Sequence, residues 1–458
     1  MDARTGVGVE PAIGSSRVAS AGDWPSPARA WYALFILTVG LMIATVDRGI
    51  LTLLVQPIRS HLGISDTQFA VLHGWAFVSV YALLGLPIAR LADRGSRRLI
   101  IGIGMAFWSV STALCGFANT FGQFFAARAG VGAGESAYAP AVYSILQDSF
   151  PPEKLPRVFA IMAIGFAWGT SFGVILGASL LIVATGLAAS PTPIFGGLAP
   201  WQAVLILVAI PGVLLALVMV TVQEPRRRGL LPGAVSHVLP VGQVFDYFIA
   251  NARTYMPMFA AMGIKAMLSF GSGVWLPEMF RRTHEWPTTR TALWIGGIGL
   301  VVAPLGLLSG SWLAERYAKR GYDDANLRVL QIATIAVVPF SVAFPLVSSP
   351  DLALVLWGMT FFVAMLGVGP ANAAVQMITP NQMRGQMRAA YQFVFNVVGF
   401  GAGPFLVALF TDRIFNDDGA LRYSLASVAA IIGPLAAILT WYGMKPYAAC
   451  VVRSRAWT

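Results

Sequence analysis

The ten residues ARLADRGSRR (Ala89–Arg98) return in altered form as SWLAERYAKR (Ser311–Arg320), with Asp93 aligned on Glu315 and Arg94 on Arg316. Each stretch follows one long apolar run and precedes another. PPEKLPR (Pro151–Arg157) and TPNQMR (Thr379–Arg384) form a second, looser pair. A chain whose loops echo each other in this order reads as two related halves. Between them lies the longest polar interruption, EPRRRGLLPGAVSHVLPVGQVFDYFIANAR (Glu224–Arg253). A third match, GVG at Gly130–Gly132 and Gly367–Gly369, stands at different distances from the paired loops and is read as chance.

Working outward from the paired loops, the chain of 458 residues is 57% hydrophobic and 11% charged, against roughly 25% charged in soluble domains. Crossing a bilayer takes about 20 apolar residues in a helix. Apolar runs near 31–57, 69–90, 99–118, 121–147, 158–184, 201–223, 255–280, 291–314, 327–348, 351–378, 386–411 and 424–444 supply twelve such spans, six on each side of the interruption. The pattern predicts an all-α membrane protein of two pseudo-symmetric six-helix bundles, 31–223 and 255–445, joined by a cytoplasmic linker, 224–254. Residues 1–30 read as a disordered cytoplasmic tail, without the basic start and apolar core of a signal peptide, and 446–458 as a second cytoplasmic tail.

A net charge of +11 raises the question of nucleic acid, and the positions of the basic residues answer it. Arg94, Arg97, Arg98, Arg226–Arg228, Arg316, Lys319 and Arg320 all fall on the face that carries the termini. This is the positive-inside pattern, which predicts cytoplasmic termini and removes the need for a nucleic-acid partner. Cys115 and Cys450 form no disulfide framework. No metal-ligand spacing, nucleophile motif or phosphate-binding loop is present, so neither an enzyme nor a cofactor is expected.

The chemistry lies in the charges placed inside spans. Asp47 and Arg48 sit side by side in span 1, Arg128 and Glu135 in span 4, and Lys265 in span 7. Each Asp or Arg at a helix centre costs roughly 2.5–3.5 kcal/mol on insertion scales. Neighbouring helical residues point about 100° apart, so Asp47 and Arg48 need partners on other helices. Arg128 and Glu135 are two turns apart on one face, about 10 Å, which leaves room for another group between them. His73, near the end of span 2, reads as solvated or hydrogen-bonded. Gly165, Gly169, Gly173 and Gly177 form a flat stripe on span 5, read as packing surface.

The loop at Ala89–Arg98 resembles the Gly-x-x-x-Asp-Arg-x-Gly-Arg-Arg signature of the major facilitator superfamily. Asp93, Arg94, Arg97 and Arg98 match, Ala89 replaces the first Gly, and Gly95-Ser96 replaces x-Gly. The resemblance covers all twelve spans. It implies that spans 1, 4, 7 and 10 line a central cavity, and that Asp93, Arg94, Arg97 and Arg98 with Glu315 and Arg316 act as a cytoplasmic gate. Within the superfamily, VDRGIL in span 1 and GAGESAYAP in span 4 look most like the spinster family of lipid transporters. That likeness implies Asp47 and Glu135 as proton-coupling carboxylates, and Arg48, Arg128 and Lys265 as substrate-binding cations.

The expected function is secondary active transport, proton-coupled and by alternating access, of an amphiphilic anionic lipid such as a lysophospholipid or sphingosine 1-phosphate. Met258, Phe259, Met262, Met267 and Phe270 are candidates to receive its tail. The alternative is a symporter of small organic anions such as sugar acids, served by Asn372, Gln376, Gln392 and Asn396. The expected partners are the bilayer, the lipid and protons, and the expected setting is a monomer in a bacterial inner membrane.

Overall fold

The computed structural model describes residues 24–189, 195–227 and 241–455, and within them the chain is helical with no strand. Among the described residues eleven helices are long and apolar enough to cross a membrane: Pro27–Leu51, Asp66–Gly85, Arg97–Cys115, Arg157–Ala188, Pro200–Thr221, Ala252–His284, Thr288–Lys319, Ala325–Ala343, Pro350–Met377, Arg384–Phe415 and Asp418–Ser454. They are spans 1–3 and 5–12. Span 4 comes in two pieces, Phe121–Ser136 and Tyr138–Ser149, each shorter than a crossing, and it packs between spans 2 and 3.

The break in span 4 has a local cause. Pro140 lacks the N–H that would bond the carbonyl of Ser136 four residues back, and the helix interrupts at Ala137. Span 10 repeats this, with Pro370 placed to interrupt the ladder at Leu366 and the break at Gly367. The structure therefore aligns Ala137 with Gly367. The GVG pair lies out of this register.

Boundaries differ from expectation where packing extends a helix. Pro27, with its preset φ, opens span 1 earlier than the apolar run begins. Val241–Ala250 within the expected linker is helical. Span 12 runs on to Ser454 because Tyr447, Cys450 and Val451 bury in the C-terminal core. The expected tail at 1–23 and the linker residues 228–240 lie outside the described residues.

Three apolar clusters organise the whole. One lies mainly in spans 1–6 around Leu37, Met105, Trp108 and Val142 and takes in Phe400 of span 11, and one lies in the C-terminal half around Tyr255, Phe259, Leu330 and Tyr447. The third crosses between halves, joining Leu54, Ile58, Phe69 and Trp201 to Trp275, Phe280 and Leu425. These residues lie toward the face opposite the termini, hereafter the far face. Twelve crossings leave both termini on the other, terminal face.

Span 5 lies against span 1 along its glycines: Gly165 meets Thr38, Gly169 meets Met42 and Thr45, Gly173 meets Val46, and Gly177 meets Ile50. A Cβ on Gly173 would stand 2.8 Å from the Val46 Cα and carbonyl oxygen, whereas one on Gly186 meets nothing within 4 Å. Gly173→Ala is therefore expected to destabilise by about 1–3 kcal/mol through forced backbone separation, and Gly186→Ala to be neutral or slightly stabilising. Melting temperatures of the two purified variants check this, and equal melting would contradict it.

Candidate functional site

The four charges of spans 1 and 4 pair crosswise. Arg128 donates from Nη1 to Asp47 Oδ2 at 2.9 Å, and Arg48 donates from Nη2 to Glu135 Oε2. The space between Arg128 and Glu135 is thus filled by the adjacent pair from span 1. Three of the four side chains are sealed, at 1% exposure for Arg128, 7% for Asp47 and 4% for Glu135, but Arg48 keeps 23%. Phe77 from span 2 lies under both guanidinium groups, 4.6 Å from Arg48 and 5.6 Å from Arg128, and Phe400 from span 11 faces Arg48 at 5.5 Å.

The network is only half satisfied. Asp47 Oδ1, Glu135 Oε1, Arg48 Nε and both Nε and Nη2 of Arg128 are buried without a hydrogen-bond partner. Buried polar atoms are overwhelmingly paired in folded proteins, and each exception costs about 1–3 kcal/mol. An ion-pair cluster that leaves so many donors and acceptors unused suits a change of partners better than a purely structural brace.

Lys265 is not part of this cluster. Its Nζ donates to the carbonyl of Ala364, and its Cε packs beside Gly367, so it braces the break in span 10. Met258, Phe259 and Met262 are packed with Tyr255 and Tyr391 in the C-terminal core rather than along the cavity. Phe270 instead meets Phe395 at 5.6 Å and Phe400 at 5.3 Å, which carries the aromatic surface toward Arg48.

At the terminal face, Arg97 is buried and held within its own half. It donates to Ser144 Oγ at 2.9 Å, Asp148, Glu224 Oε1 at 3.1 Å and the Pro225 carbonyl at 2.9 Å. Arg98 reaches the carbonyls of Val220 and Val222 at 3.2 and 3.3 Å. Glu315 and Arg316 are exposed, and Arg316 stacks on Trp312 at 5.3 Å. The side chains of Asp93 and Arg94 lie outside the described residues. An aromatic contact, Arg388 over Tyr143 at 4.6 Å, joins spans 11 and 4 at this end.

The charge latch between halves stands at the far face, and the sequence reading missed it. Arg282 of span 7 grips Asp66 of span 2 through both Nη atoms, at 2.6 and 2.8 Å, and donates from Nε to Glu278 Oε1 at 2.5 Å. Arg59 adds ion pairs to Asp66 at 2.9 Å and Asp418 at 3.1 Å, and the Thr67 amide donates to Asp412 Oδ2 at 2.7 Å. The only local signal was Ser65 with Gln68, a capping box that accounts for Asp66 as a helix-start acid. Asp66, Asp412 and Asp418 bring carboxylate oxygens within 4.8 Å of one another, but arginines already supply the counter-charge. The halves are thus closed at the far face by bidentate ion pairs over an apolar seal.

Residues 37–408 match the model of the Major Facilitator Superfamily. The chain belongs to the major facilitator superfamily. It is 25% identical over 427 residues to an MFS-type efflux pump of Mycolicibacterium smegmatis, covering 93% of this chain and 95% of that one. It is 26% identical over 351 residues to a probable L-galactonate transporter of Escherichia coli K12, covering 72% of each. The crystal structure of a bacterial homolog to the human lysosomal transporter Spinster, inward-facing and unoccupied, superposes with TM-score 0.74 at 22% identity, over 94% of this chain and 98% of that one. The expected family and fold both hold: this is a multi-pass membrane transporter, not an enzyme.

Two expectations follow from the two faces. Removing Arg282 breaks the bidentate pair with Asp66 across the halves and leaves Asp66 to Arg59 and Glu278 to Arg281, a loss of about 1.5–3 kcal/mol to the closed far face. Arg282→Ala is therefore expected to populate a far-open state, read as longer spin-label distances between Gly63→Cys and Gly419→Cys. Unchanged distances would remove the latch role. At the terminal face, burial opposes the charged carboxylate of Glu224, but hydrogen bonds from Ser96 and from the main chain and side chain of Arg97 outweigh it and hold its pKa below the ordinary 4.5. The stabilisation is full above that ordinary value and is lost as pH falls through the depressed one. Glu224→Gln should flatten the decline of melting temperature between pH 5 and pH 3. An equally steep decline in the variant would show that other groups carry it.

Proposed function

We propose that the protein moves an anionic amphiphile, such as a lysophospholipid, across the membrane by proton-coupled alternating access, with its termini on the cytoplasmic side of a bacterial inner membrane. One observation carries this reading: Arg48 is ion-paired to Glu135 yet remains partly exposed beside the Phe77 and Phe400 rings. A substrate phosphate competing for Arg48 frees Glu135, whose buried carboxylate then favours a proton. Release of the anion restores the pair and expels the proton. Coupling needs nothing more than this exchange of partners. Phe77, Phe270, Phe395 and Phe400 offer apolar cover for a tail, and the resemblance to spinster proteins implies a lipid.

The relation to a probable L-galactonate transporter and the polar pair Gln392–Asn396 on span 11, 3.2 Å apart, favour a sugar acid as the second reading. Thermal-shift binding separates them. Lysophosphatidylglycerol and sphingosine 1-phosphate should stabilise the parent, and Arg48→Ala should weaken their binding by about 10- to 100-fold, as expected for a lost charge-assisted hydrogen bond. Stabilisation by L-galactonate alone would overturn the lipid reading. In liposomes, Glu135→Gln and Asp47→Asn should transport without responding to an imposed pH gradient. A response like that of the parent would show that these carboxylates do not carry the coupling, and a parent that ignores the gradient would be a uniporter.

A further inference from the structure

His73 is 2% exposed, and neither ring nitrogen has a hydrogen-bond partner. Its ring lies near the carbonyl of Arg48 but outside hydrogen-bonding geometry. Leaving a buried imidazole unpaired costs about 1–3 kcal/mol, and such groups call for an explanation. The surroundings offer one. His73 stands in a π-helical turn, Val71–Trp75, a widened geometry that recurs at functional sites. Facing it across the seam between halves is a second π-helical stretch, Phe395–Ala402 of span 11.

Phe400 from that stretch covers the imidazole at 5.0 Å between ring centres, and Phe69 lies 6.2 Å away. The same Phe400 faces Arg48 at 5.5 Å and Phe77 at 5.6 Å. It therefore caps, from the C-terminal half, polar groups that all belong to the N-terminal half. The seam is close here: a Cβ on Gly74 would come within 2.7 Å of the Phe400 carbonyl oxygen. Asp66, the centre of the far-face latch, precedes His73 by seven residues on the same helix, about 10 Å. When that latch parts, spans 2 and 11 separate and Phe400 leaves with its half.

We propose that His73 is a substrate ligand of the far-open state, masked by Phe400 when the far face is closed and joined to Arg48 in holding the anionic head group when it opens. Arg48 then contacts the head group from either side of the membrane, whereas His73 contacts it from the far side alone. The proposal rests on the reading of an anionic substrate and adds a second, state-specific contact to it.

Two measurements test it in the full-length protein in liposomes. The first places His73→Cys in a background with the buried Cys115 and Cys450 changed to Ser. A water-soluble methanethiosulfonate should modify that thiol at least about tenfold faster when Arg282→Ala or Asp66→Asn opens the far face. Added lysophosphatidylglycerol should slow the reaction. The second measures transport from each side. His73→Ala should raise the KM for lysophosphatidylglycerol offered at the far side by about tenfold, the loss of one hydrogen bond, and leave the KM from the terminal side unchanged. His73→Gln, which keeps an N–H donor, should recover part of the loss.

Equal modification rates in open and closed backgrounds, or KM changes of the same size from both sides, would overturn the proposal. Failure of the substrate reading looks different: the parent then shows no Arg48-dependent binding of lysophosphatidylglycerol at all. Repeating the His73→Ala measurement with L-galactonate decides the ligand role in that case.

Discussion

Two crossed ion pairs between spans 1 and 4 set the terms for the rest of this molecule. Charges taken out of water cost several kcal/mol each, and only close pairing with further hydrogen bonds offsets that. Asp47 and Arg48, as neighbours on a helix, cannot neutralise each other. Arg128 and Glu135, two turns apart on one face, receive one of them each. The two pairs differ in what they can do. Asp47–Arg128 is sealed from solvent, whereas Arg48–Glu135 keeps a partly exposed guanidinium through which partners can exchange.

The C-terminal half answers with a different chemistry. Its Lys265 is spent on the broken span 10, and what it presents toward the N-terminal charges is aromatic, through Phe270, Phe395 and Phe400. One half thus holds the charge and the other shapes and covers it. Spans 4 and 10 are both broken, by Pro140 and Pro370, and each break adjoins a buried charge: Glu135 two residues before Ala137, and Lys265 packed against Gly367. Interrupted helices at membrane depth are a recurring way for transporters to build a polar site.

The far face is closed in this structure by contacts between the two halves. Its seal is double, with the bidentate Arg282–Asp66 pair outside and the Phe69–Trp275 contact at 6.0 Å beneath it. Alternating access requires that such a seal and a corresponding one at the terminal face exclude each other. In this conformation the terminal-face arginines serve their own half, with Arg97 locked among Ser144, Asp148, Glu224 and Pro225.

The apolar runs and the echo of Ala89–Arg98 in Ser311–Arg320 made the all-helical, two-bundle membrane fold legible, because crossing a bilayer imposes length and hydrophobicity on every span. The intramembrane charges stood out for the same reason: each is expensive where it sits, so its presence alone marks it. Which charge meets which was not legible. The pairing of Arg48 with Glu135, the withdrawal of Lys265 to span 10 and the burial of Met258 and Phe259 all depend on how helices rotate against each other, which periodicity in one helix leaves open. The proline breaks did carry a local signal, in Ala-Pro at 139–140 and Gly-Pro at 369–370, hidden within otherwise continuous apolar runs. Asp66 and Arg282 escaped notice because helix ends tolerate charge, and His73 was read as solvated or hydrogen-bonded because a histidine near a helix end can be wet, whereas it is buried with neither ring nitrogen paired. Only the meeting of spans 2, 7 and 11 removes the water, turns two end charges into a latch and leaves an imidazole buried without a partner.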